Sequence, residues 1–221
     1  MAEREDAAYE TEPEEAAEEQ PTLILGDEDV RDAALHERIL SEETAFEGAI
    51  FDVSKLEVAL PDGKLARRDV VRHPGAAAVV ALTENGKIVL ERQYRTALDR
   101  VTLEIPAGKL VPGEDPLECA RRELKEETGF VAGRMAYLTT IATSVGFADE
   151  LIYIFLATQL SLEGADPDDD EFINVDLVDL SELIDAVLDG QIEDAKTVVG
   201  ALACDAMAHR LALMDDVEQE G

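Results

Sequence analysis

The chain has 221 residues and carries 51 Asp and Glu against 19 Lys and Arg, which gives a formal net charge of −32 at pH 7. So acidic a surface repels phosphate backbones and argues against nucleic acid as a partner. No apolar run reaches the roughly 20 residues that a membrane-spanning helix needs, and the N-terminus lacks the basic and apolar regions of a secretory signal, so we expect a cytoplasmic protein without membrane partners.

The first 75 residues divide into an acidic segment and a β segment. Residues 1–40 are predicted to form a largely disordered tail, because their N-terminal half is mostly Glu and Ala and offers little apolar surface to bury. Residues 41–75 are predicted to form an N-terminal β segment with a hairpin turn at Asp62-Gly63. Phe46 and Phe51 are expected in the core, with stacking on the ring of a ligand as the alternative.

Residues 76–215 are predicted to form the main α/β domain. A short apolar run at 75–82 indicates a buried strand, and Asn85-Gly86 is typical of a hairpin turn that leads to a partner strand at 87–94. A further brief strand is predicted at 102–105, immediately before a Pro-Ala-Gly sequence.

Three charged residues on these strands are candidate substrate contacts. Arg92 and Arg95 lie near the end of the strand at 87–94, where each would contact a phosphate or a ribose, or else pair with one of the many acidic residues. Glu104 lies close to the Pro-Ala-Gly sequence and is a candidate metal or substrate contact, with a solvent-facing carboxylate as the alternative.

A helix is predicted over residues 116–128, within the stretch GKLVPGEDPLECARRELKEETGF. Asp115 is a suitable N-cap, Pro116 occupies a position where a missing N–H costs nothing, and Gly129 suits the left-handed position after the helix. Glu123 and Glu127 are four residues apart and therefore lie on one face. In so acidic a chain such a helix is ordinarily a solvated face, but the spacing of its residues indicates something more specific.

The spacing matches the Nudix box at every specified position, so the chain resembles the Nudix hydrolases. The matching residues are Gly108, Glu114, Arg122, Glu123, Leu124, Glu126, Glu127, Gly129 and the apolar Phe130. The resemblance covers about residues 45–205, and the box is its most specific part. It implies an α/β fold, the Nudix α/β/α sandwich, with a mixed sheet and an N-terminal β segment.

The resemblance also implies a divalent-metal site. Glu123 and Glu127 are implied as principal ligands, and the carbonyl of Ala107 as a further metal contact. Glu126 is implied as a supporting catalytic carboxylate, and Arg122 as the group that orients the carboxylates. Mg²⁺ is the expected cofactor, with Mn²⁺ as an alternative, because hard cations prefer carboxylate oxygens and neutralise a diphosphate during attack by water.

Sequences on both sides of the box resemble the ADP-ribose pyrophosphatase branch of this family. They are LEIPAG at 103–108, GFADE at 146–150 and DGQIEDAKT at 189–197. Val145 departs from the branch, which has proline at that position. Glu150 is a candidate substrate contact in the loop between strands predicted at 136–142 and 151–158.

The branch also places a catalytic glutamate in a mobile loop after the box, and Glu171 is the best match. A carboxylate there would accept a proton from the attacking water; Asp170 and Glu150 are alternatives. A strand at 172–178 and helices at 181–188 and 193–214 complete the predicted fold. The three histidines receive no role, and the two cysteines, Cys119 and Cys204, are predicted to be buried thiols.

The expected function is metal-dependent hydrolysis of the pyrophosphate bond of a nucleoside diphosphate sugar, ADP-ribose to AMP and ribose 5-phosphate. The resemblance implies a homodimer, with the N-terminal β segment contributing to the interface and to the nucleotide pocket. Two alternatives stay open. One is hydrolysis of another nucleoside diphosphate derivative, and the other is a non-catalytic nucleotide-binding module.

Overall fold

The computed structural model describes residues 32–165 and 172–219. After a short 3-10 helix (Asp32–Leu35), strands β1 (Arg38–Glu47), β2 (Asp52–Ala59) and β3 (Leu65–Arg72) form an antiparallel sheet in the order β1-β2-β3. The predicted hairpin at Asp62-Gly63 is confirmed, since Gly63 adopts φ +84° between β2 and β3.

The N-terminal sheet differs from its prediction in two ways. Strand β1 begins at Arg38, inside the range predicted as tail, and all of its residues are exposed. The core prediction for two aromatic residues is wrong, because Phe46 and Phe51 are 54% and 41% exposed and contact each other with ring centroids 6.3 Å apart. Phe46 and Phe51 therefore belong to an outward-facing surface, whereas Leu56 and Val58 of β2 are buried.

Within the described residues, seven further strands form two sheets. Their bounds are β4 Ala76–Ala81, β5 Lys87–Arg95, β6 Arg100–Glu104, β7 Ala107–Lys109, β8 Phe130–Ala142, β9 Leu151–Leu162 and β10 Asn174–Asp179. The mixed sheet has the order β7-β4-β9-β8, in which β4 and β9 are parallel and the other pairs antiparallel; the antiparallel sheet has the order β10-β5-β6.

The predicted β4–β5 hairpin is only partly correct. Gly86 turns the chain with φ +77°, as the Asn-Gly signal predicts. Only Leu82 and Ile88 then form a bridge, after which β4 and β5 enter different sheets. The local turn is encoded in the sequence, whereas the choice of strand partner is made by long-range packing.

Helix α1 (Pro116–Thr128) packs on one face of the mixed sheet and α3 (Ala195–Gln219) on the other, while α2 (Leu180–Leu188) packs against α3 and β10. Strand β4 is buried along its whole length and alternates between the two cores, so that Ala77 and Val79 face the α1 side while Ala78 and Val80 face α2 and α3. The predicted α/β/α sandwich is confirmed. Both cysteines are buried, as predicted. Within the described ranges, no helix has the length and apolar character needed to cross a bilayer.

Candidate active site

Helix α1 is fixed at both ends by the predicted residues. The side chain of Asp115 accepts a hydrogen bond from the backbone N of Leu117 at 2.8 Å, and Gly129 ends the helix with φ +73°. Ala120 and Leu124 are fully buried against β4, where truncation of a leucine typically costs about 2–5 kcal/mol. This packing turns the opposite face of α1 toward β7 and the loop that follows it.

On that face, two glutamates lie unusually close to the backbone of β7. Glu123 and Glu127 are 8% and 5% exposed, and Glu127 accepts a hydrogen bond from the backbone N of Ala107 at 3.0 Å. A Cβ added to Gly108 would lie 1.9 Å from the carboxyl carbon of Glu123. Only glycine therefore leaves room for this carboxylate.

Arg122 links the remaining carboxylates of the box. Its guanidinium donates to both oxygens of Glu114 at 3.0 and 3.1 Å, to Glu123 at 2.6 Å and to Glu126 at 2.9 Å. Hydrogen bonds from Arg122 lower the pKa of Glu114 to about 2, while these carboxylates raise the pKa of Arg122 above its usual value. Three carboxylates thus surround one permanent cation, and the carboxylate of Glu127 lies one helical turn beyond Glu123. We call Glu114, Arg122, Glu123, Glu126 and Glu127 the box cluster.

The composition of the box cluster suits a hard divalent cation. Its carboxylates outnumber its cation, and like charges so close together repel unless more positive charge is present. Among the described residues, no group of three or more His, Cys, Asp and Glu side chains is placed to hold a metal ion by itself. An open arrangement is what Mg²⁺ uses with phosphates, because it keeps several waters and takes only one or two protein carboxylates.

A cleft of about 570 Å³ opens beside the box cluster. Of the predicted site residues, it is lined by Ala107, Arg122, Glu123, Glu126, Arg95 and Glu150. Glu127 lies directly behind this wall, bonded to Ala107. The structure therefore brings these residues together around one cavity, which we call the metal cleft. Glu171, predicted to be catalytic, and its alternative Asp170 lie outside the described residues.

Arg92 and Glu104 line a neighbouring cleft of about 740 Å³ instead. Arg92 pairs with Asp176 of β10 at 2.5 Å and is half exposed, which matches the ion-pairing alternative. Arg95 lines both clefts, so it stands on the wall between them.

Glu104 is buried in that wall, and its solvent-facing alternative is wrong. It accepts two hydrogen bonds from Arg95, both at 2.8 Å, and pairs closely with Lys196. Burial by itself would raise the pKa of Glu104, but the bonds from Arg95 and the charge of Lys196 outweigh it and lower the pKa to about 2. The carboxylate therefore stays ionised.

Sequence reasoning missed Lys196 and His73, which also line the metal cleft. Lys196 lies in the first turn of α3, where a positive charge opposes the helix dipole. A lysine at the start of a predicted helix is therefore a sequence signal from which a role for Lys196 could have been predicted. His73 lies with Nδ1 at 3.2 Å from Glu150 and accepts a hydrogen bond from the backbone N of Gly75. Histidine spacing gave no clue to this contact, because Glu150 is distant in sequence.

Comparisons with known proteins agree with this geometry. The family model described as NUDIX domain matches residues 71–199. An ADP-ribose pyrophosphatase of Bacillus subtilis (strain 168) is 44% identical over 166 residues, which cover 74% of this chain and 90% of the relative. A methanol dehydrogenase activator of Bacillus methanolicus is 43% identical, covering 74% of this chain and 89% of the relative.

A solved structure supports the fold independently. The crystal structure of an ADP compounds hydrolase superposes with a TM-score of 0.71, covering 80% of this chain and 97% of that chain. At 23% sequence identity, this likeness concerns the architecture alone.

Proposed function

Because the chain belongs to the NUDIX domain family, we propose that it hydrolyses ADP-ribose to AMP and ribose 5-phosphate. The observation that carries this proposal is the intact box cluster. Glu123 lines a cleft large enough for a nucleotide, and the buried Glu127 lies directly behind the cleft wall, bonded to Ala107. The similarity to an ADP-ribose pyrophosphatase over most of both chains favours this substrate.

Nudix hydrolases generally need a divalent metal, and we propose Mg²⁺ here, with Mn²⁺ as a substitute. Glu123 and Glu127 would be the principal ligands, with the carbonyl of Ala107 as a further contact. The bound ion would neutralise the diphosphate and acidify the attacking water. The chemistry of the donor set supports this choice, since oxygen ligands without thiolate or imidazole favour Mg²⁺ and Mn²⁺.

The chain's own residues divide the remaining work. Arg122 keeps the carboxylates of Glu123 and Glu126 in place through hydrogen bonds of 2.6 and 2.9 Å. Water attacks one phosphorus, the bond from that phosphorus to the bridging oxygen breaks, and the two phosphates separate. We assign to Glu171 the role of accepting the proton of that water, with Glu150 on the cleft wall as the alternative base.

The substrate is proposed to contact the cleft through Arg95 and Glu150. Arg95 supplies a permanent positive charge at the edge of the metal cleft, where a diphosphate needs one. Arg92 and Glu104 are weaker candidates for direct contact, because Arg92 is engaged by Asp176 and Glu104 by Arg95 and Lys196.

A second candidate function keeps the reaction and changes the substrate. Val145 stands where the branch has proline, in the loop that precedes Glu150, and its side chain is 86% exposed. This loop therefore presents a different surface, which favours testing other nucleoside diphosphate derivatives. A non-catalytic nucleotide-binding module is disfavoured, because a pure binder has little use for an excess of buried carboxylates.

A substrate panel tests the proposal. Purified protein with Mg²⁺ is incubated with ADP-ribose, other nucleoside diphosphate sugars and dinucleoside polyphosphates, and products are separated by chromatography. We expect AMP and ribose 5-phosphate from ADP-ribose at the highest kcat/KM. Preference for another compound would support the second candidate, and nucleotide binding without any product would support the non-catalytic module.

We further propose a homodimer formed through the N-terminal sheet, in a cytoplasmic protein. The exposed apolar side chains on and beside this sheet are Ile39, Leu40, Phe46, Ile50, Phe51 and Leu65. Phe46 and Phe51 contact each other, and exposed apolar patches commonly mark an interface. Ile50 also lines the metal cleft, which would couple dimerisation to the site.

Light scattering tests the dimer. The measured mass should be twice the chain mass for the wild-type protein and equal to the chain mass for Phe46→Asp; a monomeric wild type would contradict the proposal. Cell fractionation tests the location.

A further inference from the structure

Lys196 is a buried cation in an unfavourable place. It is the second residue of α3 and only 7% exposed. A positive charge near a helix N-terminus opposes the helix dipole, and burial adds a desolvation cost. Residues that break local rules in this way usually serve a site.

Two carboxylates hold Lys196 in this position. Its Nζ pairs closely with Glu104 and lies 3.2 Å from Oδ1 of Asp194. Asp194 also caps α3, because its other oxygen accepts hydrogen bonds from the backbone N and the hydroxyl of Thr197. Lys196 thus joins the start of α3 to the end of β6, which leads directly into the metal cleft.

The same oxygen of Glu104 that meets Lys196 also accepts a hydrogen bond from Arg95. Arg95 uses Nε and Nη2 for Glu104, each at 2.8 Å. These two bonds engage one edge of the guanidinium, and the third nitrogen, Nη1, is not part of the pairing with Glu104. Glu104 therefore fixes the plane of the guanidinium while leaving one nitrogen available to an anion at the cleft edge.

We propose that Lys196 is a positioning residue for the substrate diphosphate. Its ammonium holds the carboxylate of Glu104, Glu104 holds one edge of the Arg95 guanidinium, and Nη1 of Arg95 donates to a phosphate oxygen. Lys196 also balances the charge of Glu104, so that Arg95 keeps a net attraction for the anion. This inference rests on the proposed function, because the anion is the diphosphate of that substrate.

The first test separates binding from chemistry. Lys196→Met keeps the length of the side chain and removes its charge. We expect KM for ADP-ribose to rise roughly tenfold, the size of one weakened charge-assisted hydrogen bond, while kcat and Mn²⁺ binding measured by electron paramagnetic resonance are retained. Lys196→Arg should restore most of the affinity. An unchanged KM, or a fall in kcat alone, would overturn the proposal.

Lys87→Met is the matched control. Lys87 pairs with Asp179 at 2.9 Å on the surface and lines neither cleft, so its kinetics should equal those of the wild type. Should Lys196→Met fail to fold, Glu104→Gln interrupts the same chain of contacts one step later, and it should raise KM in the same way.

A double-mutant cycle decides whether Lys196 acts through Arg95. In the Arg95→Gln background, Lys196→Met should change KM little further, because residues that act in series are not additive. If the two substitutions instead multiply their effects on KM, Lys196 contacts the phosphate itself, which would overturn its positioning role.

The wild type is assayed alongside these variants. No turnover of any nucleotide sugar by the wild type would refute the proposed function, whereas wild-type turnover with an unaffected Lys196→Met refutes only this inference.

Discussion

Two clusters of charged side chains face the metal cleft, and they differ in balance. The box cluster contains four carboxylates and one cation, Arg122, which contacts three of them, while Glu127 accepts from the backbone N of Ala107. The second cluster, which we call the wall cluster, consists of Arg95, Glu104, Asp194 and Lys196, with two carboxylates and two cations. One cluster is incomplete without added positive charge, and the other is neutral as it stands.

This difference indicates what each cluster does. An excess of buried carboxylates is costly and is relieved by a divalent ion, so the box cluster recruits metal. A balanced cluster holds its own members in place, so the wall cluster orients Arg95 toward an anion. A diphosphate between them would meet metal on one side and a guanidinium on the other.

Removing one of the carboxylates proposed to bind metal should have the largest effect on activity and test the difference between the two clusters most severely. We expect Glu127→Gln to lower kcat/KM by roughly 10³-fold, because the metal contributes several kcal/mol to such a reaction, while the protein stays folded. Activity and thermal unfolding are measured together. Glu118→Gln on the exposed face of α1 is the control, and wild-type turnover by Glu127→Gln would remove this residue from the ligand set.

Adding a methyl group at Gly108, where β7 lies against α1, should have the next largest effect on activity. In Gly108→Ala the new Cβ would overlap the carboxylate of Glu123 at 1.9 Å, so Glu123 must turn away. We expect kcat/KM to fall by about 10²-fold, as for misplaced metal ligands, with weaker Mn²⁺ binding by electron paramagnetic resonance. Normal Mn²⁺ binding would show that Glu123 is not a ligand.

Removing Arg122, the cation of the box cluster, should leave the repulsion between the carboxylates of this cluster unbalanced and so increase its difference from the wall cluster. We expect Arg122→Gln to lower activity by about 10- to 100-fold and to lower the melting temperature in chelator, with partial recovery on addition of Mg²⁺. Arg121→Gln, on the neighbouring and more exposed position, serves as the control. Equal melting temperatures with and without Mg²⁺ would contradict an unbalanced cluster.

Acid should weaken both clusters, and this effect is on the stability of the fold rather than on turnover. The folded-state pKa values of Glu104 and Glu114 are lowered from 4.5 to about 2. Their stabilisation is therefore complete above pH 4.5 and is lost as pH falls toward 2; for Glu104 it amounts to roughly 3 kcal/mol. Urea unfolding at several pH values should show a shallower loss for Glu104→Gln. If the free energy of unfolding of Glu104→Gln falls with decreasing pH as steeply as that of the wild type, the acid sensitivity belongs to other groups.

Local signals predicted the box well, because its structure depends on neighbours in sequence. The cap at Asp115, the end of α1 at Gly129 and the shared face of Glu123 and Glu127 all follow from helix geometry. The family resemblance then supplied the chemical roles, which spacing by itself does not reveal.

The wall cluster was only partly predictable, because its contacts span long distances in the chain. Arg95 and Glu104 were recognised as candidates, but their mutual pairing depends on the β5–β6 register, and Lys196 reaches Glu104 across 92 residues. The same limit explains the β4–β5 hairpin and the exposed Phe46 and Phe51, whose surroundings are decided by sheet assignment rather than by local pattern.

The central claim is that the acidic excess of the box cluster makes turnover depend on a divalent ion. The most direct measurement is the rate of AMP formation from ADP-ribose by chelator-treated protein during titration with Mg²⁺. We predict no turnover before addition and saturable recovery by the wild type, with little recovery by Glu127→Gln. Full turnover in excess chelator would contradict the account.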